Sequence, residues 1–258
     1  MEDFRLEKWY FDCVDGGNAF IGYAAKARWG GLRVSYGALI SSLGGAATIQ
    51  RQTLSAGEVR QEDHAVHWAN DALGVSGSWR EGARLAEALL IDEGDGEIRW
   101  HCLATNAIAE MTVKGRRIEG VGYAERLTTT IPPTRLPFTE LRWGRFISQP
   151  RDRFMVWIDM RGDVSRTWTW ANTTEPCVAT IEDDAIVAEG CALHFGESQS
   201  MLEGNVARDT LGVMGFLAPL LPRGLRRIEQ HKRVGECTLS QAGVESLGGA
   251  IYEVVRFG

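Results

Sequence analysis

The residues best suited to chemistry lie in Gly120-Val121-Gly122-Tyr123-Ala124-Glu125, inside a long segment of alternating character. Residues two apart on a strand project to the same face, so Tyr123 and Glu125 point together. A carboxyl group beside a phenol suits proton transfer. Protonated, it can donate to an alkene; ionised, it can remove a proton and drive an isomerisation or a cyclisation. Burial among aromatic groups raises a carboxyl pKa, which would keep Glu125 protonated near neutral pH. Aromatic walls stabilise a transient cation by their π faces, and Trp143, Trp157, Trp168 and Trp170 are available for this. A pericyclic reaction needs only a shaped pocket and a donor to polarise a carbonyl, a task open to Tyr123 or Arg145. The candidate set is therefore Glu125 and Tyr123 for catalysis, with Trp68, Trp143, Arg145, Trp157, Asp159 and Trp170 for binding. Structural roles compete with each. Glu125 can pair with Arg142 or Arg145 across a sheet, the tryptophans can fill cores, and Asp159 can bridge to Arg161 on its own face.

Other chemistries are not supported. His64 and His67 stand three apart in a strand-like segment, on opposite faces, and no His/Cys/Glu cluster has ligand spacing, so no metal site is expected. Gly74-Val75-Ser76-Gly77-Ser78 is not a nucleophile elbow. Gly120-Val121-Gly122 lacks the third glycine and the helix of a dinucleotide site, so no cofactor is implied. The cysteines at 13, 102, 177, 191 and 237 are odd in number with no C-x-x-C pair, which predicts buried, inert thiols in a reducing cytoplasm. A net charge of −6, with both signs dispersed, argues against a nucleic-acid-binding body. The start MEDFRLEKWYF has no basic segment leading into an apolar run, and no apolar stretch reaches the roughly 20 residues of a membrane helix.

The elements that must position these residues read as strands. Thirty glycines punctuate short alternating runs, among them Leu6–Asp15, Ala19–Arg28, Leu32–Ser41, Thr48–Leu54 and Val59–Trp68. Gly74–Trp79, Leu85–Ile91, Glu97–Ala104, Ala107–Val113 and Arg117–Thr130 follow, the last stopped by Pro132-Pro133. Beyond it come Leu141–Ser148, Phe154–Met160, Thr167–Asn172, Cys177–Ile181, Ala185–Glu189, Ala192–Glu197 and Ile251–Phe257. Strands at this spacing predict barrels or sandwiches, not βαβ units. Asp209–Leu221 has helix-like apolar grouping. With the basic residues Arg223, Arg226, Arg227, Lys232 and Arg233 after it, it reads as a short helix on a barrel mouth, or as a lid or membrane-surface contact. Gly22-Tyr23-Ala24-Ala25 echoes Gly122-Tyr123-Ala124-Glu125, and Arg28-Trp29-Gly30 echoes Arg142-Trp143-Gly144. These echoes suggest two related β units with an acid only in the second, since Ala25 stands where Glu125 does.

The stretch GVGYAERLTTTIPPTRLPFTELRWGRFIS, with FMVWIDMRGD and WTWANTTE downstream, resembles the two-lipocalin superfamily over about residues 95–175. That group includes bacterial carotenoid 1,2-hydratase and fungal decalin-forming Diels–Alderases. The resemblance implies two lipocalin-like antiparallel barrel or sandwich units, 1–115 and 116–258, and cofactor-free chemistry on an apolar, polyene-like molecule. It also implies a pocket carboxylate, and the position that matches bears Glu125 with Tyr123 beside it. The chain departs from the hydratase branch, which carries a His/Asp-containing segment after the glycine-tyrosine pair, by having Ala124-Glu125-Arg126 there. The expected function is hydration, isomerisation or cyclisation of a hydrophobic natural product. A non-catalytic carrier of an apolar ligand, and a structural protein with a vestigial pocket, are the alternatives.

Overall fold

Alternating side chains separated by tight glycine turns build antiparallel strands, and strands dominate the computed structural model, which describes residues 4–44, 48–94, 96–205 and 227–257. The chain divides into two compact units, Met1–Arg135 and Leu136–Gly258. The helix expected at Asp209–Leu221, with Arg223 and Arg226, lies outside the described residues.

The first unit holds ten strands: β1 (Phe4–Asp15), β2 (Asn18–Trp29), β3 (Leu32–Ser42), β4 (Ile49–Thr53), β5 (Glu58–Gln61), β6 (Ala65–Asn70), β7 (Val75–Arg80), β8 (Ala88–Glu93), β9 (Gly96–Val113) and β10 (Arg116–Thr129). Their order is β4-β3-β2-β1-β10-β9-β7-β6-β5, with β8 on β9. The two edge strands, β4 and β5, are consecutive in sequence. The residues 54–57 between them can span at most roughly 14 Å, so the sheet must curl until its edges meet. Side chains pin that seam: Asn70 Nδ2 donates to Ser55 O at 2.7 Å, Trp68 Nε1 to Ala56 O at 3.0 Å and Arg51 Nη1 to Leu73 O at 2.7 Å. The unit boundary falls after Arg135 and not near 115 because β10 is hydrogen-bonded between β1 and β9.

The interior of this barrel is filled. Phe11 stacks on Trp68 at 5.3 Å and on Trp79 at 4.7 Å, within a buried cluster that includes Phe20, Leu39, Val66, Leu103 and Met111. Glycines make room for the indoles: a β-carbon at Gly22 would collide with the Trp68 ring.

The second unit holds β11 (Glu140–Ser148), β12 (Phe154–Arg161), β13 (Arg166–Ala171), β14 (Ala179–Ile181), β15 (Ala185–Ala188), β16 (Cys191–Asn205), β17 (Glu229–Gln241) and β18 (Val244–Arg256). Their order is β13-β12-β11-β18-β17-β16-β15-β14, and again the two edges are consecutive strands. The bridge between Thr169 and Cys177 nearly closes this sheet into a barrel. Its core gathers Phe146, Met155, Trp157, Leu193, Cys237 and Leu239, with Trp157 beside Phe195 at 5.7 Å and a glycine, Gly144, under the Trp157 ring.

The echo between Gly22-Tyr23 and Gly122-Tyr123 does not mark two units. Both segments lie in the first sheet, on β2 and β10, either side of β1. Each glycine faces an interior indole and each tyrosine the opposite side, so the repetition answers one packing demand made twice. Arg28-Trp29-Gly30 ends β2 in a turn, whereas Arg142-Trp143-Gly144 is mid-strand in β11.

Candidate functional site

Strand parity puts the aromatic core on the inner face of the first sheet and a polar set on its outer face. Tyr10 is opposite Glu125 and Asp12 opposite Tyr123 across the β1–β10 ladder. Tyr10 Oη donates to Asp12 Oδ2 at 3.1 Å, and Tyr123 Oη donates to Glu125 Oε2 at 2.7 Å. The result is a checkerboard in which phenol and carboxyl alternate along and across the strands. All four side chains are buried.

Several devices fix this arrangement. The β9–β10 ladder shifts register at Gly122–Glu125, so β9 carries extra residues there and turns Trp100 and Cys102 toward Glu125. Trp100 Nε1 donates to the same Glu125 Oε2 that accepts from Tyr123. An indole can only donate, so Oε2 is the acceptor in that hydrogen bond. From the inner face, Trp79 Nε1 donates to the backbone oxygen of Asp12 at 2.6 Å. The glycines of the motif are explained by the same crowding: a β-carbon at Gly122 would meet Asp12 O and the Trp79 ring, and one at Gly120 would meet Val14 O.

The electrostatics agree with the geometry. Burial, and then the charges of Cys102 and Glu125, push the Tyr123 phenol well above its usual range, so it remains a donor. Burial, and then Glu125, Tyr36 and Asp12, do the same to Tyr23, which stands opposite Tyr10. Burial lowers the Lys8 ammonium, partly offset by Glu125, and its Nζ lies 5.0 Å over the Tyr23 ring.

The predicted site residues divide between the two units. Glu125 and Tyr123 meet as the two-residue spacing implied. Trp68 is an interior side chain of the first barrel and Trp157 of the second. Asp159 is engaged structurally, accepting from Arg161 Nε at 2.7 Å and Thr167 Oγ1 at 2.8 Å. Arg142 binds Glu140 at 2.7 Å and Asp183 at 2.6 Å, in the second sheet. Arg145 donates to Gly249 O at 2.9 Å, and Trp143, Arg145 and Trp170 are buried on the face of the second sheet opposite Trp157. Arg142 and Arg145 belong to a different sheet from Glu125, so neither is its cross-strand partner. Sequence reasoning missed Tyr10, Asp12, Tyr23 and Trp100. The signal for the first two was present: Tyr10-Phe11-Asp12 repeats the Tyr-x-acid spacing of Tyr123-Ala124-Glu125. Among the described residues no cluster of His, Cys, Asp and Glu could hold a metal ion.

Two lipocalin-like antiparallel β units in one chain define the class of fold. CghA shares it, with a TM-score of 0.59 and 12% identity over 98% of this chain and 88% of that one. CghA in complex with Sch210972 gives a TM-score of 0.56 at 11% identity over 98% and 89% of the two chains. Kievitone hydratase from Nectria haematococca gives 0.55 at 10% identity over 99% and 89%. No protein-family profile matches the sequence, and comparison with curated proteins gives no match.

Proposed function

We propose that the protein is a cofactor-independent enzyme that moves a proton on a hydrophobic natural-product molecule, with Glu125 as acid or base. Tyr123 assists as a fixed donor and Trp100 orients the carboxyl group. The observation that carries this reading is the paired donation from Tyr123 and Trp100 to Glu125 Oε2, which fixes a buried carboxyl group beside a phenol. Hydration and isomerisation both need such a group, and the second buried carboxyl, Asp12, supplies a partner of the same kind on the same face. The likeness in fold to kievitone hydratase supports a hydratase-type reaction over simple carriage. A carrier would need a hollow barrel, and the first barrel is packed with Phe11, Trp68 and Trp79.

The test is untargeted mass spectrometry of an apolar extract of the source cells, incubated with the protein in water or D2O. Wild type should convert one component to a product of equal mass, or one water heavier, with a solvent deuteron at a non-exchanging carbon position. Glu125→Gln should bind that component but turn it over at least about 100-fold more slowly. Undiminished turnover would remove Glu125 from the mechanism. A product without carbon-bound deuterium would point to a pericyclic reaction.

A further inference from the structure

A second cavity, of about 530 Å³, lies on the outer face of the first sheet, lined by β5, β6, β7, β9 and β10 and by neither Glu125 nor Tyr123. Its shape follows from register. One cross-strand row runs Glu58–Ala69–Ser76–Thr112–Arg117, and the next runs Arg60–His67–Ser78–Glu110–Glu119. Glu58 and Arg60 on β5 and Glu110, Arg117 and Glu119 on β9 and β10 stand to either side of the short Ala69, Ser76 and Ser78, with His67 among them, so the strands form a trough with charged rims.

The rims are balanced in charge. Arg60 pairs with Glu58 at 2.8 Å and Arg117 with Glu119 at 2.5 Å, while Arg117 also reaches Glu110 Oε2 at 3.6 Å. Glu110 Oε1 is held by Arg80. Lining carboxylates and guanidinium groups nearly cancel, so neither a polyanion nor a bare cation is selected. Between the rims lie the hydroxyls of Ser76, Ser78 and Thr112 and the imidazole of His67, donors and acceptors in close array. Exposed ion pairs of this kind add little to stability, so exchanging them for bonds to a ligand costs little. The volume is within the range of small-molecule sites.

We propose that this trough is a binding site for a neutral, polyhydroxylated ligand of the saccharide class, separate from the Glu125 site. Carboxylates and guanidinium groups on the rims can each bridge neighbouring hydroxyls, and the serine and threonine hydroxyls complete the set from below.

The experiment is amide-resolved NMR titration of the full chain with maltotriose, cellotriose and chitotriose, with trialanine and inorganic phosphate as comparators. At least one trisaccharide should shift the Ser76, Ser78 and Thr112 amides saturably. Ser76→Tyr, which fills the trough from an exposed strand position, should weaken that binding at least tenfold, and Arg117→Ala should weaken it in a chain whose other amides are unmoved. The proposal is overturned by no saturable shift with any of the three sugars at 20 mM, by binding of trialanine or phosphate alone, or by unchanged affinity in both variants. Turnover at Glu125 is unaffected by any of these outcomes.

Discussion

Glu125 is defined by what donates to it. A buried carboxylate without donors is costly, and here one oxygen takes a phenol and an indole at once. Hydrogen bonds to charged groups contribute about 1.5–3 kcal/mol. Trp100→Phe keeps the ring and removes only the donor, so chemical denaturation should show a loss of that size. In a double-mutant cycle with Glu125→Gln, most of the loss should appear as coupling between the two sites. A loss below about 0.5 kcal/mol, or no coupling, would mean the indole merely fills space. Half of this site was legible in the sequence. The two-residue spacing of Tyr123 and Glu125 is enough to place them together, because parity is a local property of a strand. Trp100 was not legible: its orientation depends on extra residues in β9 that alternate with neither face, and a register shift of that kind leaves no local pattern.

At the scale of elements, the GVGY segment is a case of backbone meeting backbone. Gly122 sits where the Asp12 carbonyl and the Trp79 ring leave no volume for a side chain. Gly122→Ala should therefore destabilise the protein by about 1–3 kcal/mol, the usual cost of overpacking, even though alanine suits a strand at least as well as glycine does. Gly16, in the β1–β2 turn with open space around it, is the control for crowding, although its φ of +50° adds a strain of its own to any side chain. Urea denaturation of Gly122→Ala and of the milder Gly122→Ser measures the effect, and wild-type stability in both would show that β1 can give way. Strand positions were well marked by alternation and turn glycines: β1, β2, β3, β10, β11 and β12 fall within a residue or two of expectation. Misreadings cluster where alternation is interrupted. Val59–Trp68 is two strands, β5 and β6, parted at Glu62–His64, whereas Glu97–Ala104 and Ala107–Val113 are one bulged strand. The strand β17 was not anticipated, because its apolar positions are diluted by His231, Lys232 and Arg233.

At the scale of the molecule, each unit joins the opposite edges of its own sheet with a connection between consecutive strands, and this curls each sheet toward a barrel. Closure buries thiols and phenols, and burial is the largest influence on their ionisation. All five cysteines are free, and four are buried. Burial lifts the Cys237 thiol from 9.0 to about 11, and burial likewise leads the upward displacement of Cys102, Tyr23 and Tyr123. Each of these groups holds its proton more tightly folded than unfolded. The stability they contribute is complete below their unfolded pKa values and is lost as pH rises through the folded ones. Lys8, lowered by burial, acts in the opposite sense, since the folded state binds its proton less tightly. The thiols and phenols outnumber it, so the net slope is downward in alkali. Cys237 alone should cost about 2 kcal/mol between pH 8.5 and 10.5. Urea midpoints at these two pH values measure the effect, with the slope of the transition unchanged. Cys237→Ala should flatten the pH dependence by roughly the same amount, whatever its own effect on packing. A midpoint that holds steady or rises at pH 10.5 would show that the closed barrels do not hold these groups protonated.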